Sequence, residues 1–235
     1  MDKTIRVENL RVTRSGKSVV HGLSFDVAPG TITALLGANG AGKSSTVMAM
    51  SGALPIADGK VSLGDITLNG MSADRVRRHG VALVPEGHRV LGQLNVEENL
   101  VVAGLDAART EKGLDHVYEI FPELKSRRKQ RAADLSGGQK QMVAMGQAFM
   151  AKPAFMFVDE LSLGLAPTVV QRLVEALRVA ADEGIGVLLI EQFAHIALEL
   201  SKKAIVLERG RIVYDGMAAT LLEQPEILHS AYLAQ

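Results

Sequence analysis

The chain contains no cysteine and no tryptophan, and its rings are limited to six Phe and three Tyr among 235 residues. Without thiols there can be no disulfide, thiolate nucleophile, cysteine-ligated zinc or iron–sulfur cluster. With so few rings, a base-stacking platform for single-stranded nucleic acid lacks its material. Net charge is also missing, with 26 Lys plus Arg against 26 Asp plus Glu. A nucleic-acid binder needs a cationic excess along its footprint, which disfavours that class. A polybasic membrane clamp needs the same excess. Spanning a bilayer takes about 20 consecutive apolar residues. The runs here, such as Val81–Val84 and Val187–Ile190, are far shorter. The opening Met1-Asp2-Lys3-Thr4 has no apolar signal region behind it, so the chain is expected to stay in the compartment where it is made. Apolar residues are plentiful at 47%. That suits one large or two small globular domains with a core that needs no staples.

The short apolar runs Ile32–Leu36, Val81–Val84, Phe155–Val158, Val187–Ile190 and Ala204–Leu207 read as strands buried on both faces. Helical patterns separate several of them, which predicts an α/β fold with a largely parallel sheet. Ile5–Val7, Val61–Leu63 and Ile66–Leu68 alternate with period two and predict an antiparallel β edge. Arg211–Tyr214 after Glu208-Arg209-Gly210 predicts a late hairpin. Between about Val96 and Met150 no strand pattern occurs, and Glu97–Leu105, Glu111–Phe121 and Gln139–Met150 read as helices. The expectation is one domain over residues 1–235 with a helical subdomain inserted at about 92–150. The basic run Lys125–Arg131 reads either as a solvated helix face or as a binding patch.

Gly37-Ala38-Asn39-Gly40-Ala41-Gly42-Lys43-Ser44 fits G-x-x-x-x-G-K-[ST], the P-loop pattern. It follows a predicted strand and precedes the helical Ser45–Met50, the context that pattern requires. Its glycines let backbone N–H groups turn inward around phosphate oxygens, and the helix aims its positive end at the same anion. Lys43 is expected to reach the β- and γ-phosphates of a nucleotide, and the Ser44 hydroxyl to hold Mg²⁺. Phe155–Val158 runs into Asp159-Glu160. By itself such a pair is more simply a turn cap. Beside a P-loop, Asp159 reads as a Mg²⁺ carboxylate and Glu160 as the base that activates water.

Leu135-Ser136-Gly137-Gly138-Gln139 precedes the helix running to Met150. Ser136 and Gln139 form an S-x-x-Q capping box, and a capped start with two glycines also offers N–H groups to an anion. With this segment, about twenty residues before Asp159, the chain resembles the ABC-transporter ATPases over nearly its whole length. The resemblance implies a P-loop NTPase with a RecA-like core. It implies two subunits packed head to tail around two ATP molecules. Each ATP would touch Gly37 to Ser45 of one subunit and Ser136, Gly137, Gly138 and Gln139 of the other. Ser162–Leu165 matches the D-loop, which crosses that interface.

Three positions depart from the family pattern. Glu86, after Pro85, stands where the Q-loop Gln is usual, adding a charge near Mg²⁺ or a different acceptor. Gln192 stands at the place of the switch His; Gln can donate to a γ-phosphate but cannot carry a positive charge. His195 follows as an ordinary helix residue. No adenine-stacking ring precedes Gly16-Lys17. Arg14 stands there, either lying flat on the base or solvated in its loop.

Val84–Arg89, Leu94–Leu100, Ile190-Glu191-Gln192 and the tail from Leu222 to Leu233 resemble the LivF-type ATP-binding subunits of branched-chain amino acid importers. That resemblance implies an ATPase with Mg²⁺ as cofactor. Its implied partners are a second ATPase subunit (a like copy or a LivG-type relative), two membrane permeases and, indirectly, a substrate-binding protein. It implies attachment to the cytoplasmic face of the membrane through the permeases, and no nucleic acid. Urea and short-amide importers carry similar subunits. A soluble ABC ATPase acting on DNA or ribosomes, and a structural subunit with a dead site, are the readings from other classes.

Overall fold

In the computed structural model, residues 4–87, 89–106, 108, 110–192 and 194–228 are described. His88 and the tail beyond Leu228, both quoted for the subgroup resemblance, lie outside them.

The parallel core is built from the apolar runs. β3 (Ile32–Leu36), β6 (Val81–Val84), β7 (Phe155–Asp159), β8 (Gly186–Glu191), β9 (Lys203–Glu208) and β10 (Arg211–Met217) form a six-stranded sheet ordered β10-β9-β3-β8-β7-β6. All neighbours are parallel except β9 and β10, which close the expected hairpin with Arg211 opposite Glu208. Arg209 and Gly210 both have positive φ (45° and 74°), the combination a two-residue hairpin turn matched to strand twist requires.

Strand periodicity sorts the core into two layers. Ala34, Leu36, Met156, Val158, Val187, Leu189, Ala204 and Val206 face one cluster, while Leu35, Phe155, Phe157, Leu188, Ile190, Ile205 and Leu207 face the other. Both faces are therefore covered, which is why these runs carry no polar alternation. Phe155 and Phe157 are fully buried, and truncating either to Ala would cost about 3–5 kcal/mol.

The second cluster is closed by a separate antiparallel sheet, not by an edge of the first. β1 (Ile5–Arg14), β2 (Lys17–Val27), β4 (Asp58–Leu63) and β5 (Ile66–Thr67) lie in the order β2-β1-β4-β5. The period-two strands reveal one buried face but not the sheet they join, so the predicted edge becomes a second layer. Helix α1 (Lys43–Met50) adds Val47, Ala49 and Met50 to the same cluster.

The other face carries α3 (Val96–Ala103), α4 (Thr110–Ile120), α5 (Pro122–Ser126), α6 (Gly137–Met150), α7 (Pro167–Asp182), α8 (Ala194–Leu200) and α9 (Ala218–Glu223), while α2 (Ala73–Arg78) leads into β6. α7 starts with Pro167 in its first turn and buries Val170, Leu173, Ala176, Leu177 and Ala180, a stripe at helical spacing. Fully buried Asn99 in α3 accepts from the Leu91 N–H at 2.8 Å and donates to Leu91 O at 3.0 Å and Asn95 O at 2.9 Å. It thereby ties Leu91 to the start of α3. In the basic run, Lys129 pairs with Glu97 at 2.8 Å and Arg131 donates to Gln93 at 2.7 Å. These cations are used between neighbouring segments of the chain.

Candidate active site

The carboxyl ends of β3, β7 and β8 are neighbours in register, with Leu36 opposite Glu191 and Asp159 opposite Ile190. In open α/β sheets ligands bind at this end of the strands. The 37–42 loop, Asp159-Glu160 and Glu191-Gln192 all leave from it.

The loop is shaped by backbone that only glycine adopts easily. Gly37, Gly40 and Gly42 have φ of 147°, 80° and 101°. A Cβ at Gly37 would collide with the Leu207 carbonyl oxygen, and one at Gly42 would lie 2.9 Å from the Val19 carbonyl oxygen. Both glycines thus let the loop nest against β9 and β2. Gly42 caps α1 without a side-chain bond, and α1 has no acid in its first turn. Its first-turn N–H groups and positive end are available to an anion. Lys43, 5% exposed, donates from Nζ to Gly37 O at 2.7 Å and Ala38 O at 3.1 Å, bridging across the loop. Burial lowers its pKa, opposed by the nearby carboxylates of Glu160, Asp159 and Glu191.

The acidic side faces it. The Ser44 hydroxyl donates to Asp159 Oδ1 at 3.4 Å. Asp159 is buried, and burial raises its carboxyl pKa, with the Glu86 charge adding to the rise and the Ser44 bond opposing it. Glu160 is raised by burial, then by Glu86 and Asp159. Glu86 itself is exposed, yet close enough to act on both. Glu160 has φ 52°, a left-handed conformation rare for a side chain with a Cβ, and its N–H donates to Ile190 O at 2.9 Å. Ser44 and Asp159 are hard oxygen donors at one point, which fits Mg²⁺; that ion takes one or two protein oxygens and completes its shell with phosphates and water. Among the described residues no group of three His, Asp or Glu forms an all-protein metal cage.

Gln192 is half-buried at the same strand end. Beside it, Glu191 is 2% exposed and accepts from Ser162 N–H at 3.0 Å and Ser162 Oγ at 3.2 Å. In the sequence Glu191 carries only the Ile190-Glu191-Gln192 resemblance and no chemical role, although a carboxylate closes an otherwise apolar strand. His195 is exposed on α8, 3.5 Å from Glu199, as expected of an ordinary helix residue.

The Ser136–Gln139 segment opens α6. Ser136 accepts from the Gln139 N–H at 3.3 Å, and Gln139 Oε1 accepts from the Ser136 N–H at 3.0 Å, completing the capping box. A Cβ at Gly138 would press on Val169 of α7 at 2.7 Å. Arg14 is exposed at the β1–β2 turn, opposite Lys17, in the hairpin whose second strand passes Gly42.

Residues 20–162 match the family model described as ABC transporter. The chain belongs to the ABC transporter ATP-binding family. It is an ATP-binding protein and an ATPase of that family. The high-affinity branched-chain amino acid transport ATP-binding protein BraG of Pseudomonas aeruginosa is 43% identical over 216 residues, covering 91% of this chain and 92% of BraG. The probable branched-chain amino acid transport ATP-binding protein LivF of Archaeoglobus fulgidus is 32% identical over 208 residues, covering 87% and 88%. Among solved structures, an ATP-binding subunit of an ABC transporter matches with a TM-score of 0.83 at 29% identity over 97% of this chain and 98% of that one. The ADP conformation of MJ1267, an ATP-binding cassette of an ABC transporter, matches with a TM-score of 0.88 at 22% identity over the whole of both chains, a likeness of fold. Among the described residues no helix is long and apolar enough to cross a membrane.

Proposed function

We propose that this ATPase is the energising subunit of an importer of branched-chain amino acids, working on the cytoplasmic face of the membrane through separate permeases. The observation that carries the reading is the 43% identity to BraG along 91% of the chain. Its partners are a second ATPase subunit, of its own kind or LivG-like, and two permeases, with a substrate-binding protein delivering the amino acid outside.

The residues divide the work. The 37–45 backbone and the positive end of α1 bind the phosphates, and Lys43 neutralises charge that develops on them. Ser44 and Asp159 hold Mg²⁺, with Glu86 beside them; when bound, that ion neutralises phosphate charge. Glu160 takes a proton from the attacking water, and its raised pKa suits a base working nearer neutrality. Gln192 senses the γ-phosphate by a neutral hydrogen bond. Ser136 to Gln139 address the ATP held by the partner subunit. Arg14 supports the adenine.

Transmission to the permeases runs through the helical region at about 92–150. Leu91 and Val102, 52% and 58% exposed, line a groove with Arg77, Pro85 and Arg89, next to Glu86. Exposed apolar groups in a groove at that point support a protein dock.

The test is uptake. The purified chain, reconstituted with its permeases and candidate second ATPase in vesicles, should drive ATP-dependent accumulation of labelled leucine. Glu160→Gln should retain ATP binding and lose turnover and uptake together. Uptake of urea or short amides without leucine would reassign the substrate class. Wild-type turnover in the Glu160→Gln variant would remove Glu160 from the base role.

A further inference from the structure

Glu191 has no part in the division of work above, yet it is one of the few fully buried charged groups, 2% exposed at the end of β8. Buried carboxylates persist where donors surround them. Here the donors come from two directions. Ser162 gives its backbone N–H at 3.0 Å and its hydroxyl at 3.2 Å, one to each carboxylate oxygen. The backbone N–H of Gln192 also bonds to it. The Glu191 carboxylate therefore links Ser162, 29 positions before it, to the adjoining Gln192.

Ser162 lies two residues beyond Glu160. Glu160 is held at φ 52°, a left-handed conformation that is strained for a residue with a Cβ and lasts only where the flanking chain is fixed. On one side the fixing is the Glu160 N–H on Ile190 O at 2.9 Å. On the other, Leu161 is fully buried and Ser162 is tied to Glu191. From this geometry we infer that Glu191 is a positioning residue for hydrolysis: it holds the 160–162 turn that presents the Glu160 carboxylate, and it couples that turn to Gln192. The inference rests on the reading of Glu160 as the base. A carboxylate suits the task because both of its oxygens accept, whereas an amide offers one acceptor to the same donors.

The test uses Glu191→Ala, Glu191→Gln and Ser162→Ala in the full-length protein, in the preparation whose ATPase responds to Glu160→Gln. Misplacing a reacting group by about 1 Å costs on the order of a hundredfold, so Glu191→Ala should lower kcat by roughly ten- to a hundredfold. Glu191→Gln and Ser162→Ala each keep part of the clamp and should lose less, about threefold to tenfold. In all three, KM for ATP should stay within about threefold, because the phosphate loop is untouched. In a Glu160→Gln background, Glu191→Ala should reduce the residual rate by less than about twofold, since both changes act through one group.

Wild-type kcat in Glu191→Ala overturns the inference. So does a fall in kcat that tracks a loss of ATP affinity and of thermal midpoint, which makes Glu191 a structural staple only. Should Glu191→Ala fail to fold, Glu191→Gln and Ser162→Ala decide: lowered kcat at constant KM supports the clamp, and wild-type kcat in both overturns it. Full turnover in Glu160→Gln alone defeats the base reading and this inference with it. Lost turnover there beside wild-type kcat in the Glu191 variants defeats only the latter.

Discussion

Ser44 and Asp159 stand 115 positions apart in the chain and meet hydroxyl to carboxylate at 3.4 Å. One lies in the first turn of α1 after the phosphate loop, and the other closes β7, two places from β3 in the sheet. If this pair holds Mg²⁺, removing either oxygen should weaken the metal while sparing the phosphate loop. Ser44→Ala should raise the Mg²⁺ concentration for half-maximal hydrolysis by on the order of tenfold, and Asp159→Asn by more. ATP binding measured with Mg²⁺ chelated should change little. A Mg²⁺ titration of ATPase activity identical to wild type in both variants would take the metal away from this pair.

The same acidic corner sets a pH dependence of stability. Asp159, Glu160 and Glu191 all titrate above their ordinary values, with burial the leading cause in each. A raised folded pKa means the protonated form is favoured by folding. The contribution is therefore complete below the ordinary values of 3.8 and 4.5 and is lost as pH rises through the higher folded values. In the nucleotide-free protein, Asp159→Asn removes a charge that the fold disfavours. Its urea midpoint should exceed wild type at about pH 7.5, and the gap should shrink toward about pH 4.5. A gap that widens on acidification contradicts the assignment.

Two loop glycines separate backbone strain from steric exclusion. Gly37 and Gly40 both have positive φ, 147° and 80°. A Cβ at Gly40 meets open space, while one at Gly37 runs into the Leu207 carbonyl. Gly40→Ala should cost about 1 kcal/mol, the price of the left-handed conformation alone. Gly37→Ala should cost about 2–4 kcal/mol, because the end of β3 must also move from β9. Urea unfolding measures both, and equal losses would show that the Leu207 contact yields freely.

The parallel core was legible because a sheet covered on both faces needs unbroken apolar strands, and Ile32–Leu36, Phe155–Val158 and Val187–Ile190 supply them. β2 was not anticipated. Its buried residues are Val20, Leu23, Phe25 and Val27, and the slip between Val20 and Leu23 accompanies a register shift against β1 that breaks the period-two signal. The phosphate loop and Asp159-Glu160 were legible because their chemistry is local in sequence. Glu191 was not, since its work depends on Ser162, 29 positions away. Neither was the left-handed turn at Glu160, which no residue type announces.

Ser136 is asked to do two things, and they can be measured apart. As the cap of α6 it accepts from the Gln139 N–H at 3.3 Å. Losing a Ser cap costs about 1 kcal/mol of stability. Ser72 caps α2 in the same manner, accepting from the Arg75 N–H at 3.5 Å, and is placed in no proposed chemistry. Ser72→Ala and Ser136→Ala should therefore shift the urea midpoint by similar small amounts. Only Ser136→Ala should reduce ATPase turnover in the assembled pair, by on the order of tenfold or more, as expected for losing a donor to phosphate charge. ATP binding by the isolated chain should be the same in both if, as proposed, Ser136 to Gln139 address the nucleotide of the other subunit. Equal turnover in the two variants would leave Ser136 a helix cap and nothing else, whereas lost ATP binding by the isolated Ser136→Ala chain would place its action on the chain's own nucleotide.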